Sequence, residues 1–131
     1  MAVINNEGLI GRISKVNPYT SEVKLITTND TNSKISFVIN KDNHKYYGII
    51  NGYDNELGLI GTLLDKDIDL NESDVITTGM GGIFPSGILI GKVTNTYLDH
   101  NEVSYLVNIK PSTNISSLKY VSIFKREEWF I

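Results

Sequence analysis

The chain has 131 residues, 40% of them hydrophobic and 21% charged, with a formal net charge of −3. This length fits one ordinary domain or two very small ones, and the charge excludes a generic nucleic-acid binder, which needs a basic excess to follow a phosphate backbone. The absence of cysteine removes disulfide frameworks, thiolate metal sites and cysteine nucleophiles together.

In chain order, residues 1–8 have neither the basic start nor the apolar run of a signal peptide, and no later run approaches the roughly 18 apolar residues of a membrane span. Candidate strands follow at 9–16, 22–27, 34–39, 46–52, 57–64, 75–78, 88–97, 103–109 and 118–124. Between them, Asn17-Pro18-Tyr19-Thr20, Asn29-Asp30-Thr31-Asn32, Lys41-Asp42-Asn43, Asp54-Asn55, Asp99-His100-Asn101 and Lys110-Pro111-Ser112 are built from turn-forming residues. Alternation is clean where Ile35, Phe37 and Ile39 share one face, and again at Val103, Tyr105, Val107 and Ile109. A helical spacing at Leu57, Ile60, Leu64 and Ile68 is interrupted by Gly58 and Gly61, so a strand is expected there. Ala2 is the only alanine, while β-branched Ile, Val and Thr abound. The best helix former is nearly absent and residues suited to a pleated surface dominate. The expected fold class is all-β, a sandwich or barrel.

Residues 65–74 hold five acids and one lysine. With strands in similar numbers on either side, this segment reads as a solvated connector between two lobes. The expected first β-barrel lobe is 8–66 and the second 67–128, with 1–7 a candidate to complete the second. Asp65, Asp67 and Asp69 have the opening spacing of an EF-hand loop, but Leu70 and Ile76 stand where it needs Gly and Glu. No metal site is expected.

The most unusual segment runs from Thr77 to Gly87. A dinucleotide fingerprint begun by Gly79 and Gly81 breaks at Phe84, and a phosphate loop from Gly82 to Gly87 is followed by Ile88 and Leu89 instead of Lys and Ser or Thr. A nucleophile elbow around Ser86 has Phe84 and Ile88 where glycines belong. The structural reading remains: glycines for positive φ, expected at Gly81 or Gly82, with Phe84 plugging a core and Pro85 stiffening the exit. His44 and His100 lie in polar turns and read as exposed loop residues. Tyr46, Tyr47, Tyr53 and Trp129 read as packing aromatics rather than sugar-stacking platforms. No catalytic or cofactor-binding residue is expected.

The run Gly79-Met80-Gly81-Gly82-Ile83-Phe84-Pro85-Ser86-Gly87-Ile88-Leu89-Ile90-Gly91-Lys92-Val93 resembles the hallmark stretch of the MreC family of bacterial rod shape-determining proteins. Gly8-Leu9-Ile10-Gly11-Arg12-Ile13 and Ser21-Glu22-Val23-Lys24-Leu25-Ile26-Thr27 resemble its first hairpin. Asp74-Val75-Ile76-Thr77-Thr78 resembles the approach to its hallmark, with Ser73 in place of the usual Gly. Val107-Asn108-Ile109-Lys110-Pro111 and Leu118-Lys119-Tyr120-Val121 resemble its closing strands. On this resemblance Gly79, Gly81, Gly82, Phe84, Pro85, Gly87 and Gly91 form a structural signature.

The resemblance implies a β domain of two small barrels, arranged somewhat like the chymotrypsin-type proteases without their catalytic residues. It also implies an extracytoplasmic, non-catalytic scaffold of cell-wall elongation, which self-associates and binds peptidoglycan synthases. Its implied neighbours are MreD, the MreB system, RodA and a class B penicillin-binding transpeptidase, with no cofactor and no nucleic acid. Family members begin with a membrane helix and a coiled coil, so membrane contact is implied only through a segment absent from this chain. The tail Glu127-Glu128-Trp129-Phe130-Ile131 has no counterpart. If the family's β domain starts upstream of Met1, a strand is missing and the open edge invites a second copy. Otherwise Val3 and Ile4, or the tail through Trp129 and Phe130, cover that edge. The competing reading is a two-barrel serine hydrolase or a glycan-binding β module. It requires a serine within reach of His44 or His100, or two exposed coplanar aromatic faces.

Overall fold

Turn chemistry sets the hairpins. Asn5 Oδ1 accepts from the N–H of Glu7 at 2.9 Å and of Gly8 at 3.2 Å, folding β1 (Ala2–Asn5) back onto β2 (Gly8–Val16). The Asn17 N–H donates to the Thr20 carbonyl at 2.7 Å and leads the chain into β3 (Ser21–Leu25). Only Asp42 and Asn43, at φ 53° and 67°, join β4 (Ile35–Lys41) to β5 (His44–Asp54). They are the left-handed pair of a type I′ turn, whose twist matches that of the strands it connects. Asp54 Oδ1 accepts from Glu56 N–H at 2.8 Å and Leu57 N–H at 3.0 Å, turning the chain into β6 (Gly58–Leu63). Then come β7 (Asp74–Thr77), β8 (Leu89–Leu98), β9 (Tyr105–Pro111) and β10 (Ser122–Phe124). This computed structural model describes residues 1–28, 34–64, 69–80, 84–98, 104–114 and 120–124.

Six strands close into a barrel in the order β4-β5-β6-β9-β8-β7, and the other four form a sheet in the order β10-β1-β2-β3. The chain is all-β as expected, with no helix among the described residues. The lobes drawn at 8–66 and 67–128 cross these sheets and need correction. Strands β4 to β6 precede residue 66 and β7 to β9 follow it, yet all six share one barrel. β1 pairs with β2 on one side and β10 on the other, so the chain's first strand is covered from both of its ends. Residues 65–68 of the acidic segment lie outside the described residues, and Leu70 within it is fully buried. The segment's acidity carries no information about which strands pair across it, which depends on the register of distant apolar faces.

Boundaries shift as well. The strand expected at 22–27 ends at Leu25, and the one expected at 46–52 runs from His44 to Asp54. Val103 and residues 118–119 of the expected strands lie outside the described residues.

The barrel interior is organised around Phe37, which is fully buried with Ile39, Leu59, Val75, Val107 and Ile109. A Cβ at Gly48 would lie 2.3 Å from Phe37 Cζ, and one at Gly61 would lie 2.8 Å from Phe37 Cε2. One large ring fits because two neighbouring strands carry no side chain beneath it, the large-against-small alternation that a narrow barrel needs. Ala2, Leu9 and Ile26 from the four-stranded sheet, with Leu70 and Phe84 from connections, join the same apolar cluster. Both sheets therefore share one core. Across the seam the Thr113 hydroxyl donates to the Leu9 carbonyl at 3.4 Å, while Ser112 N–H to the Ile90 carbonyl at 3.0 Å extends the β8–β9 ladder of the barrel.

Candidate interaction surface

The glycine-rich segment leaves the end of β7 and returns at β8, and Thr77 holds the two ends together. Its N–H donates to the Ile88 carbonyl at 2.9 Å, and its own carbonyl accepts from Gly87 N–H at 2.8 Å. Its hydroxyl donates to the Pro85 carbonyl at 2.6 Å and accepts from Ile88 N–H at 2.9 Å. Gly79 and Gly87 hold positive φ, 83° and 84°; Gly81 and Gly82, where positive φ was expected, lie with Ile83 outside the described residues. Phe84 is buried in the shared core and Pro85 is half-buried beside it. Gly91 faces the Lys110 carbonyl of β9, where a Cβ would lie 2.0 Å from the oxygen.

Thr77 is the residue that sequence reasoning missed, since a threonine in a strand looks ordinary until its loop returns. Thr77→Val keeps shape but strips partners from the half-buried Pro85 carbonyl and Ile88 N–H. A loss of about 2–3 kcal/mol in urea unfolding is expected, while Thr77→Ser retains most of the stability. Equal losses in both variants would show that packing, not the hydroxyl, holds the loop.

The remaining sequence candidates do not converge. His44 sits exposed at the β4–β5 turn, its ring 6.3 Å from that of Tyr46 and tilted by 53°. Among the described residues no serine hydroxyl bonds to it, and no three His, Cys, Asp or Glu side chains gather as a metal site. His44→Ala should shift stability by no more than about 0.5 kcal/mol. A larger loss in thermal melts would reveal a role for the imidazole. His100 and Trp129 lie outside the described residues, and Tyr46, Tyr47 and Tyr53 are half-buried. The N–H groups of Glu56 and Leu57 hold the Asp54 carboxyl below the usual carboxylate range, which is turn chemistry rather than catalysis. Two adjoining hollows of about 650 and 450 Å³ share Tyr53, Lys110 and Pro111. No histidine lines either, and the Ser112 and Thr113 hydroxyls there donate to backbone carbonyls.

What the barrel does present is an apolar exterior. Phe37, Gly48, Gly61 and Val107 point inward, so their chain neighbours point out. Val38 pairs with Ile76 and Tyr47, and Thr62 with Ile49 and Leu106. These residues make a mostly apolar band across five strands; Val38 is buried at 8% exposure, the others are half-buried, and Leu64, 71% exposed, stands at the margin beside Tyr47. Apolar surface gathered on one side of a fold in this way suits an interaction face. The closed barrel has no strand edges; among the described residues, the edges are β3 and β10 of the other sheet.

A family model described as "Rod shape-determining protein MreC, barrel core" matches residues 1–125. The cell shape-determining protein MreC of Listeria monocytogenes is 34% identical over 128 residues, covering 96% of this chain and 43% of that protein. A solved MreC structure from Listeria superimposes with a TM-score of 0.80 at 31% identity, over 92% of this chain and 58% of that one. The major periplasmic domain of a cell shape-determining MreC gives 0.74 at 32% identity, over 86% and 68%. A complex of penicillin-binding protein PBP2 with MreC from Helicobacter pylori shares the fold, with a TM-score of 0.64 at 20% identity over 87% and 68%. The chain spans about half the length of the curated relatives it matches.

Proposed function

The chain belongs to the MreC family of rod shape-determining proteins, and from that footing we propose that it is a non-catalytic scaffold of cell-wall elongation, binding peptidoglycan synthases and maintaining cell shape. The observation that carries this reading is the match of the MreC barrel core across residues 1–125. The apolar band around Tyr47, Ile49 and Leu106 is the face we assign to a class B penicillin-binding transpeptidase. The Helicobacter complex, in which an MreC engages PBP2, supports that partner. Self-association through the β3 and β10 edges, and proximity to MreD and RodA, belong to the same reading. So does a position on the extracytoplasmic face of the membrane, supported by the periplasmic domain of a relative and anchored through a segment outside this chain. Among the described residues, no helix is long and apolar enough to cross a membrane.

Biolayer interferometry against the extracytoplasmic domain of the host's class B transpeptidase tests the docking. Saturable binding is expected, weakened at least about tenfold by Leu64→Glu with melting unchanged. No binding at tens of micromolar would sink the assignment of this partner. Light scattering across a dilution series tests self-association, which a strictly monomeric particle at high concentration would remove.

A further inference from the structure

The β2–β3 hairpin is amphipathic, and its apolar face runs out past the core. Cross-strand pairs Val16–Ser21 and Ile13–Val23 lie on one face, and Lys15–Glu22 and Arg12–Lys24 on the other. Along the apolar face, burial gives way to exposure: Leu25 and Ile13 are half-buried, Val23 is 38% exposed and Val16 65%. At the tip Tyr19 is 99% exposed. It is nevertheless held in place, because Asn17 closes the turn twice, through its N–H to the Thr20 carbonyl at 2.7 Å and through Nδ2 to Thr20 Oγ1 at 3.2 Å. The arm is also basic, with the exposed Lys15 and the half-buried Arg12 and Lys24 against the single acid Glu22, on a chain whose net charge is −3.

A rigid, locally cationic arm on an acidic body selects an anionic surface. An exposed tyrosine at the tip of a hairpin whose apolar face ends in exposed Val16 and Val23 selects the boundary between water and an apolar phase, since its ring is apolar and its hydroxyl polar. We propose that the β2–β3 hairpin is a contact arm for anionic lipid headgroups that approaches tip first, with Tyr19 and Val16 seated at the bilayer interface, the exposed Lys15 of the opposite face at the charged surface, and the half-buried Arg12 and Lys24 adding to the arm's positive field. This does not rest on the scaffold reading, and a chain that bound no synthase would still show it.

Tyr19→Trp in a Trp129→Phe background places the sole tryptophan at the tip. Vesicles of phosphatidylglycerol and phosphatidylcholine at about 50 mM salt should shift its emission to the blue, and brominated acyl chains should quench it. Pure phosphatidylcholine should do neither, and about 0.5 M salt should abolish both effects by screening. Adding Val16→Ser should lower the bound fraction at least about threefold, with the melting curve unchanged because Val16 is exposed. Emission unmoved at millimolar anionic lipid overturns the proposal. A blue shift that appears without lipid as protein concentration rises also overturns it, and assigns the arm to a second copy.

Discussion

Replacing Phe37 by alanine is expected to cost about 3–5 kcal/mol in chemical denaturation. The ring is fully buried at the centre of a closed barrel, and the strand positions facing it are Gly48 and Gly61. Those glycines have no side chains that could swing into the space, and their backbones are held in the β4–β5, β5–β6 and β6–β9 ladders. The cavity therefore stays open, which places the variant at the costly end of large-to-small substitutions. A loss of this size is a large fraction of the about 5–15 kcal/mol that holds an ordinary domain. A second substitution separates cavity from general disruption. Gly61→Ala should destabilise the parent, where its Cβ would lie 2.8 Å from the ring, yet be neutral or stabilising in the Phe37→Ala background. Equal cost in both backgrounds would show that the ring is not what Gly61 makes room for.

Gly91→Ala is expected to destabilise by at least about 3 kcal/mol, at the upper end of overpacking costs. The new Cβ would meet the Lys110 oxygen at 2.0 Å and its carbon at 2.8 Å. Both are backbone atoms of β9, so relief requires moving β8 away from β9 within the barrel ladder. Gly87→Ala is the contrasting case. Its φ of 84° disfavours a side chain, but nothing lies within 4 Å of the added Cβ, so only about 1–2 kcal/mol of backbone strain is expected. Urea titrations of the two variants test strand approach as the reason for glycine at 91, whose φ is not positive. A loss at Gly91→Ala no larger than at Gly87→Ala would overturn it.

The glycine-rich segment shows how far residue identity carries a functional reading. Each catalytic pattern fails at a named position: Phe84 in the dinucleotide fingerprint, Ile88 and Leu89 after the phosphate loop, Phe84 and Ile88 around Ser86. Those failures are visible without coordinates, and so is the likeness to a scaffold family. The positions of positive φ were not visible, because any glycine in the run could take the turn. Among the described residues Gly79 and Gly87 take it, at the base of a loop that Thr77 fastens through Pro85, Gly87 and Ile88. The apolar exterior was equally hidden. Alternation sets Phe37 on the face of Ile35 and Ile39, but only closure of the barrel brings Val38 beside Tyr47 and Ile76.

Composition and alternation act one residue at a time, through φ/ψ preference and the pleat. That is why the scarcity of alanine and the period of two at Ile35, Phe37 and Ile39 were sufficient for an all-β chain. Turn chemistry is equally local, and Asn17, Asp54 and the Asp42–Asn43 pair each make the turn their side chains favour. Which strands pair is a property of the whole chain. β1 lies between β2 and β10, the barrel closes across the acidic connector, and Thr113 reaches Leu9 across 104 residues. These arrangements were decided by the burial of one shared core, to which strands on both sides of the connector contribute and which no single segment encodes.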